Sequence, residues 1–252
     1  MPSYIEDFHL YGPVPQGSPY FAGKTLDFHI DGEGTDRIEF YDVDYLCING
    51  VEKNLYKALA LTPNYYLVVV HQLAHEIPAY INYVVDVPRC LVTKVTCKAT
   101  TVEKGSTPLT DTENLVVREI RFGYIGDTDP IDRHHYTHDL VDYILETEGT
   151  PGDTIRWYIL SDNKMAYYQK EWRLGANSID KDGVGMGVCS LLKIAEDIYV
   201  ITLTKHSHGN QPFFLWNRKT GRFVADWAGV SRRSNAVFCT TGMGYMRNIW
   251  NK

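Results

Sequence analysis

No stretch of the 252 residues approaches the roughly 20 consecutive apolar residues that a membrane-spanning helix needs, so a membrane partner is not expected. Basic clusters are equally scarce. The longest basic run is Arg232-Arg233 and the net charge is −6, which leaves no footprint for neutralising a phosphate backbone and sets nucleic acid aside. The five cysteines, Cys47, Cys90, Cys97, Cys189 and Cys239, are odd in number and form no CxxC pair, which fits a reduced chain rather than a disulfide framework. The N-terminus lacks a basic segment followed by an apolar one, so no secretory signal is read and a cytoplasmic location is expected.

Catalytic signatures are missing as well. There is no Gly-x-Ser-x-Gly nucleophile turn. The run Asp182-Gly183-Val184-Gly185-Met186-Gly187 lacks the full Gly-x-Gly-x-x-Gly spacing and reads as a long flexible loop rather than a nucleotide cradle. No cofactor is therefore expected.

What the chain does hold is aromatic and repetitive. Tyrosine outnumbers phenylalanine 18 to 9, favouring rings with an apolar body and a polar tip. Gly32, Asp36, Ile38, Phe40 and Tyr41 match Gly149, Asp153, Ile155, Trp157 and Tyr158 at one offset, and Leu61 to Val70 match Ile194 to Leu203 at another. Each copy continues with a His-containing loop (His75, His208), a proline (Pro78, Pro212) and two more β-rich runs. A shared order of features marks a duplicated unit.

The segments 25–30, 37–41, 65–72, 80–85, 91–97 and 115–124 are rich in Val, Ile, Tyr, Thr and Phe and are punctuated by Gly, Asn, Asp and Pro. They predict short strands in a meander that curls up. Residues 52–60 and 139–143 are the best short helix candidates. The expected fold is all-β, with two tandem antiparallel barrels joined by a turn-rich linker. Its expected parts are an extended arm (1–20), a first barrel (21–125), a linker (126–140), a second barrel (141–230) and a C-terminal extension (231–252). The extension's Ala236-Val237-Phe238-Cys239 run and Trp250 would pack on a barrel or a second subunit, leaving a homodimer open.

Three segments resemble the MoaF-like family of lipocalin-like (calycin) proteins. His135-Tyr136-Thr137-His138-Asp139-Leu140-Val141 is similar to the family's His-x-x-Thr-x-x-Leu-Val lead-in, and Ile194 to Lys205 to its strand entry. Phe21-Ala22-Gly23-Lys24-Thr25-Leu26 resembles its N-terminal opening. The resemblance implies two lipocalin-like units. The chain departs from the pattern at Leu203-Thr204-Lys205-His206, where the family continues Trp-Arg-Glu-Lys.

Small barrels commonly hold one ligand in the mouth, lined by alternate residues of each strand. In the second copy Arg156 and Tyr158 share a strand face, as do Tyr168 and Trp172, with Glu171 on the opposite face. Tyr199 and Lys205 lie on one face of a later strand, and Trp216 on the next. Arg156 and Lys205 replace Glu39 and Gln72 of the first copy, so an anionic or enolate-like group in an aromatic pocket is expected in the second barrel, unless these charges form an outward solvated face.

Arg156, Tyr158, Tyr168 and Lys205 are the catalytic candidates, and Trp172, Tyr199, Trp216 and Glu171 the ligand contacts. The function expected from them is a cofactor-independent lyase, isomerase or cyclase acting on a small hydrophobic or aromatic metabolite by acid–base and positional catalysis. The alternative is a non-catalytic small-molecule binding or carrier protein. His29, His71, His75 and His206 are further general-base candidates. His134, His135 and His138, with Asp132 and Asp139, leave a metal site open, although their spacing matches no zinc motif.

Overall fold

The structure, a computed structural model, describes residues 16–72, 79–99, 116–148, 154–173, 179–205, 211–230 and 237–250. These residues fall into two compact units that divide between His135 and Tyr136. Apart from a 3-10 turn at Pro19–Phe21, every regular element described is a strand.

The first unit contains β1 (Thr25–Ile30), β2 (Gly34–Phe40), β3 (Tyr45–Ile48), β4 (Glu52–Thr62), β5 (Tyr65–Gln72), β6 (Ala79–Asp86), β7 (Leu91–Ala99) and β8 (Val116–Ile125). Each pairs antiparallel with the next, and β8 returns to β1, closing an eight-stranded barrel. The second unit adds β9 (His135–Tyr136), β10 (Ile144–Glu148), β11 (Thr154–Ile159), β12 (Lys164–Arg173), β13 (Ile179–Ala195), β14 (Ile198–Lys205), β15 (Gln211–Asn217), β16 (Arg222–Val230) and β17 (Val237–Asn248). Strands β10 to β17 form a second closed ring through the β12–β13 and β10–β17 pairings, with β9 added alongside β13.

Strand alternation places the cores. On β2, Ile38 and Phe40 are buried in the lumen while Arg37 points out, and Phe28, Tyr56, Val68, Tyr83 and Val92 complete the same cluster. Residues 52–60, read as a helix candidate, are strand: Asn54, Tyr56 and Ala58 turn inward and Lys53, Leu55 and Lys57 outward, a period of two that a helix cannot satisfy. Residues 139–143 form a tight turn. The glycine run 182–187 is part of β13, not a loop. A Cβ on Gly185 would strike the Tyr167 ring, and one on Gly187 the carbonyl of Thr204, so small residues are needed where chains approach closely. Residues 237–248, placed in an extension, are the closing strand β17.

The duplication extends to local geometry. A bulge interrupts β4 between Ala60 and Thr62, and another interrupts β13 between Lys193 and Ala195. The β6–β7 and β15–β16 turns are each fastened by a side-chain acceptor, Asp86 Oδ1 for Arg89 N–H (3.2 Å) and Asn217 Oδ1 for Thr220 N–H (3.0 Å). Both turns end on a left-handed residue, Cys90 (φ 53°) and Gly221 (φ 74°).

The lead-ins match too. Gly23 N–H donates to Phe40 O (2.7 Å) and Lys24 N–H to Phe21 O (3.0 Å), as Asp142 N–H donates to Ile159 O (2.9 Å) and Tyr143 N–H to Leu140 O (3.1 Å). Gly23 (φ 76°) and Asp142 (φ 69°) take the same left-handed conformation, which glycine and aspartate tolerate best. Each lead-in drives an apolar side chain, Phe21 or Leu140, into one end of its barrel. Phe21 stacks on Phe40 (5.0 Å) and meets Tyr66 edge-on (5.1 Å), stoppering the first barrel at that end.

The closing seam generates a prediction. Gly123 of β8 lies opposite Ile30 of β1, and a Cβ there would run into the His29 carbonyl. Gly123→Ala is expected to lower the unfolding free energy by about 1–3 kcal/mol, measured by urea denaturation.

Candidate functional site

The end of the first barrel away from the Phe21 stopper is open. Its cavity of about 470 Å³ is lined by the β1–β2 and β3–β4 turns and by inward residues of six strands. Ile48, Val51, Ile81 and the Tyr83 ring supply apolar wall; Glu33, Asp36, Glu52, Asn54, Lys94, Thr96 and Glu119 supply polar groups. Register brings them together. Ile48 faces Glu52 across β3–β4, Tyr83 faces Lys94 across β6–β7, and Thr96 sits between Ile81 and Glu119.

A charged network spans this mouth. Lys94, whose side chain is 13% exposed, puts Nζ 2.9 Å from both Glu33 Oε2 and Asp36 Oδ2. The buried Tyr83 hydroxyl donates to the same Asp36 oxygen at 2.8 Å. Burial, reinforced by the Asp36 charge and hydrogen bond, pushes the Tyr83 hydroxyl well above the usual tyrosine value. Burial alone would lower Lys94, but the Asp36 and Glu33 carboxylates outweigh it and hold the ammonium above the usual lysine value. Both groups therefore remain protonated donors near neutrality.

The second barrel lacks this chemistry at the matching positions. The paired registers place Ala225 where the first barrel has Lys94, Phe214 for Tyr83, Trp227 for Thr96, Tyr167 for Ile48 and Gly187 for Asn54. Trp157, Phe214, Phe223 and Trp227 pack edge-to-face or tilted through its lumen, with ring centroids 5.3–6.2 Å apart.

The residues expected to line a second-barrel pocket are dispersed. Arg156 is 47% exposed on the outer wall, where its Nε donates to Glu146 Oε2 at 3.0 Å. Tyr158 and Tyr168 share that outer face, Tyr168 directly opposite Arg156, because the inward positions of β11 belong to Ile155, Trp157 and Ile159. Arg247 and Arg156 together hold Glu146 below the usual carboxylate range. These charges form an outer ladder rather than an anion pocket.

Tyr199 and Trp216 do point inward, but as core. The Tyr199 hydroxyl donates to Asp139 Oδ2 (3.1 Å) beside the Lys193 ammonium (2.6 Å), and Trp216 Nε1 donates to the Met246 carbonyl (3.0 Å). Glu171 and Trp172 lie on β12, and Lys205 ends β14 opposite Gly187; their side chains are outside the described residues.

The histidines also separate. His29 Nδ1 is 2.8 Å from Thr35 Oγ1 and its ring stacks on Tyr124 (4.6 Å), outside the lumen. His71, on the outer face of β5, meets the Tyr80 ring edge-on. His134 is buried with Nδ1 2.7 Å from Thr93 Oγ1, whereas His135 and His138 are exposed. His75, Pro78, His206 and His208 lie outside the described residues. Among the described residues no three His, Cys, Asp or Glu side chains are grouped to hold a metal ion.

Sequence reasoning missed the first-barrel mouth. The usable signal was a lone lysine in the β-rich run Leu91 to Cys97, together with Asp36 two residues before the core residue Ile38. No family model matches the chain, and the search of curated proteins returned no match.

Two predictions follow from the electrostatics. Tyr83→Phe removes a hydrogen bond to a charged acceptor and is expected to cost about 1.5–3 kcal/mol in urea unfolding. The second concerns acid. Burial, with the Lys57 charge second, pushes His71 down to about 4, and burial lowers His134 against the Asp86 carboxylate. A histidine depressed on folding contributes stability above its unfolded value of about 6.5 and loses it as pH falls from there through the folded value. The drop in urea midpoint between pH 7 and pH 4.5 should therefore be smaller in His71→Gln than in the wild type.

Proposed function

We propose that this chain is a non-catalytic small-molecule binding protein of lipocalin-like type that holds its ligand in the open mouth of the first barrel. The observation that carries this reading is the 470 Å³ cavity with a fixed polar network at one end of a closed, stoppered barrel. Ligand sites favour such concave, largely preformed places with few placed polar groups.

Binding is preferred over an acid–base lyase, isomerase or cyclase because Tyr83 and Lys94, the proton donors at the centre of the cavity's network, are both shifted upward, away from neutrality. A general acid or base works best with its pKa near the operating pH. A MoaF-like tandem protein belongs to the same reading, supported by the duplicated lead-ins at Phe21 and Leu140, and so does a cytoplasmic location, supported by the free thiols of Cys47, Cys90, Cys97 and Cys189.

Thr96→Trp tests the site, because it installs at the first mouth the residue that Trp227 provides in the second barrel. Native mass spectrometry of the purified wild type should show a co-purifying small molecule that is recovered chemically unchanged and is lost from a folded Thr96→Trp variant. Equal retention by the variant would place the ligand elsewhere.

A further inference from the structure

The character of the cavity lining goes further than its presence. Four carboxylates, Glu33, Asp36, Glu52 and Glu119, line it against one ammonium, Lys94. Arg121, opposite Lys94 on the same face and half exposed at the rim, brings its Nε to 3.6 Å from Glu33 Oε1, and four carboxylates against two cations still leave the balance negative. Lys94 is spoken for by Glu33 and Asp36, and the Tyr83 hydroxyl by Asp36.

Acceptors, in contrast, are left over. Asn54 is only 5% exposed and its Nδ2 donates to the Glu52 carbonyl at 3.0 Å. Only the amide nitrogen can donate to a carbonyl, so that bond fixes the orientation and leaves Oδ1 as the second amide atom. Among the described residues nothing donates to Asn54 Oδ1, and the Glu119 carboxylate has no hydrogen-bond or ion-pair partner. Asn54 lines the cavity, so this oxygen is an acceptor open to a donor in the mouth, and a ligand that displaces water from it without donating loses that bond.

We infer that the first-barrel mouth binds an organic cation, a primary ammonium or guanidinium on a small apolar body, whose N–H groups donate to Asn54 Oδ1 and to the Glu119 carboxylate. The inference rests on the binding reading above. An anion would face the same four carboxylates and meet a lysine already neutralised by two of them. A purely apolar ligand would leave the Asn54 oxygen unsatisfied. A bare metal ion is disfavoured because no three of the described acidic side chains converge on one point. The Ile48, Val51, Ile81 and Tyr83 surfaces accept the apolar body, and the cationic group reaches the polar side of the mouth.

The experiment is calorimetric titration of the full chain with three probes that share a phenyl ring on a two-carbon chain and end in a cationic, a neutral and an anionic group: phenethylamine, 2-phenylethanol and phenylacetate. Phenethylamine should bind with one site per chain and at least tenfold more tightly than 2-phenylethanol, and phenylacetate should not bind. Asn54→Leu and Glu119→Gln should each weaken phenethylamine at least threefold while leaving 2-phenylethanol unchanged, which a general folding defect would not do.

Equal or tighter binding of phenylacetate or 2-phenylethanol that Thr96→Trp abolishes would overturn the cation assignment and leave the pocket standing. Binding of none of the probes at millimolar concentration, or binding unaffected by Thr96→Trp, would overturn the cation assignment and count against the pocket itself.

Discussion

Ring closure is the constraint from which the rest of each unit follows. Once β8 has paired with β1, and β17 with β10, each ring closes on itself and each of its strands is hydrogen-bonded to a neighbour on both sides. A closed wall has only two ends. In both units one end is taken by a lead-in whose left-handed residue, Gly23 or Asp142, turns an apolar side chain into the lumen. Open space is thereby left to the other end, where strands terminate and side chains need not form a continuous core.

The two copies use that freedom differently. The second fills the level of the mouth with Trp227 and with Tyr167 over Gly185, and its lumen is occupied by aromatic rings packed edge-to-face or tilted. The first places Thr96, Ile48, Glu52 and Asn54 there and leaves space, with Lys94 and Asp36 crossing the barrel wall to wall. A buried ammonium is tolerated only when paired and hydrogen-bonded, and the Glu33–Lys94–Asp36–Tyr83 network meets that condition. The network also fixes the carboxylate positions, so the mouth is organised before any ligand enters.

Much of the fold was legible in the sequence because a half-buried strand writes its period directly. The all-β tandem organisation follows from the matched runs, and the bulges at the ends of β4 and β13 fall at the match of Leu61 with Ile194. The other match is two residues out of step: the registers put Trp157, not Ile155, at the place of Ile38, and Arg37, not Glu39, at the place of Arg156. Two positions along a strand keep the same face, and the sequence pattern does not tell them apart. Face assignment was not legible where both parities carry plausible residues. On β11 the outward Arg156 and Tyr158 looked as suited to a pocket as the inward Ile155 and Trp157, and only packing against Tyr167 and Phe214 settles it. The β13 glycines read as a loop because the reason for them, the Tyr167 ring and the Thr204 backbone, lies on neighbouring strands. Asp36, Asn54, Tyr83 and Lys94 are likewise remote in sequence, and register alone assembles them.

The most direct measurement is a two-dimensional amide correlation spectrum of the uniformly labelled chain during titration with phenethylamine. A ligand held in the first mouth should shift the amides around Asn54, Tyr83 and Lys94 along a single saturating curve and leave Trp157, Phe214 and Trp227 in place. Saturable shifts centred on the second barrel instead, with the first mouth silent, would contradict the assignment.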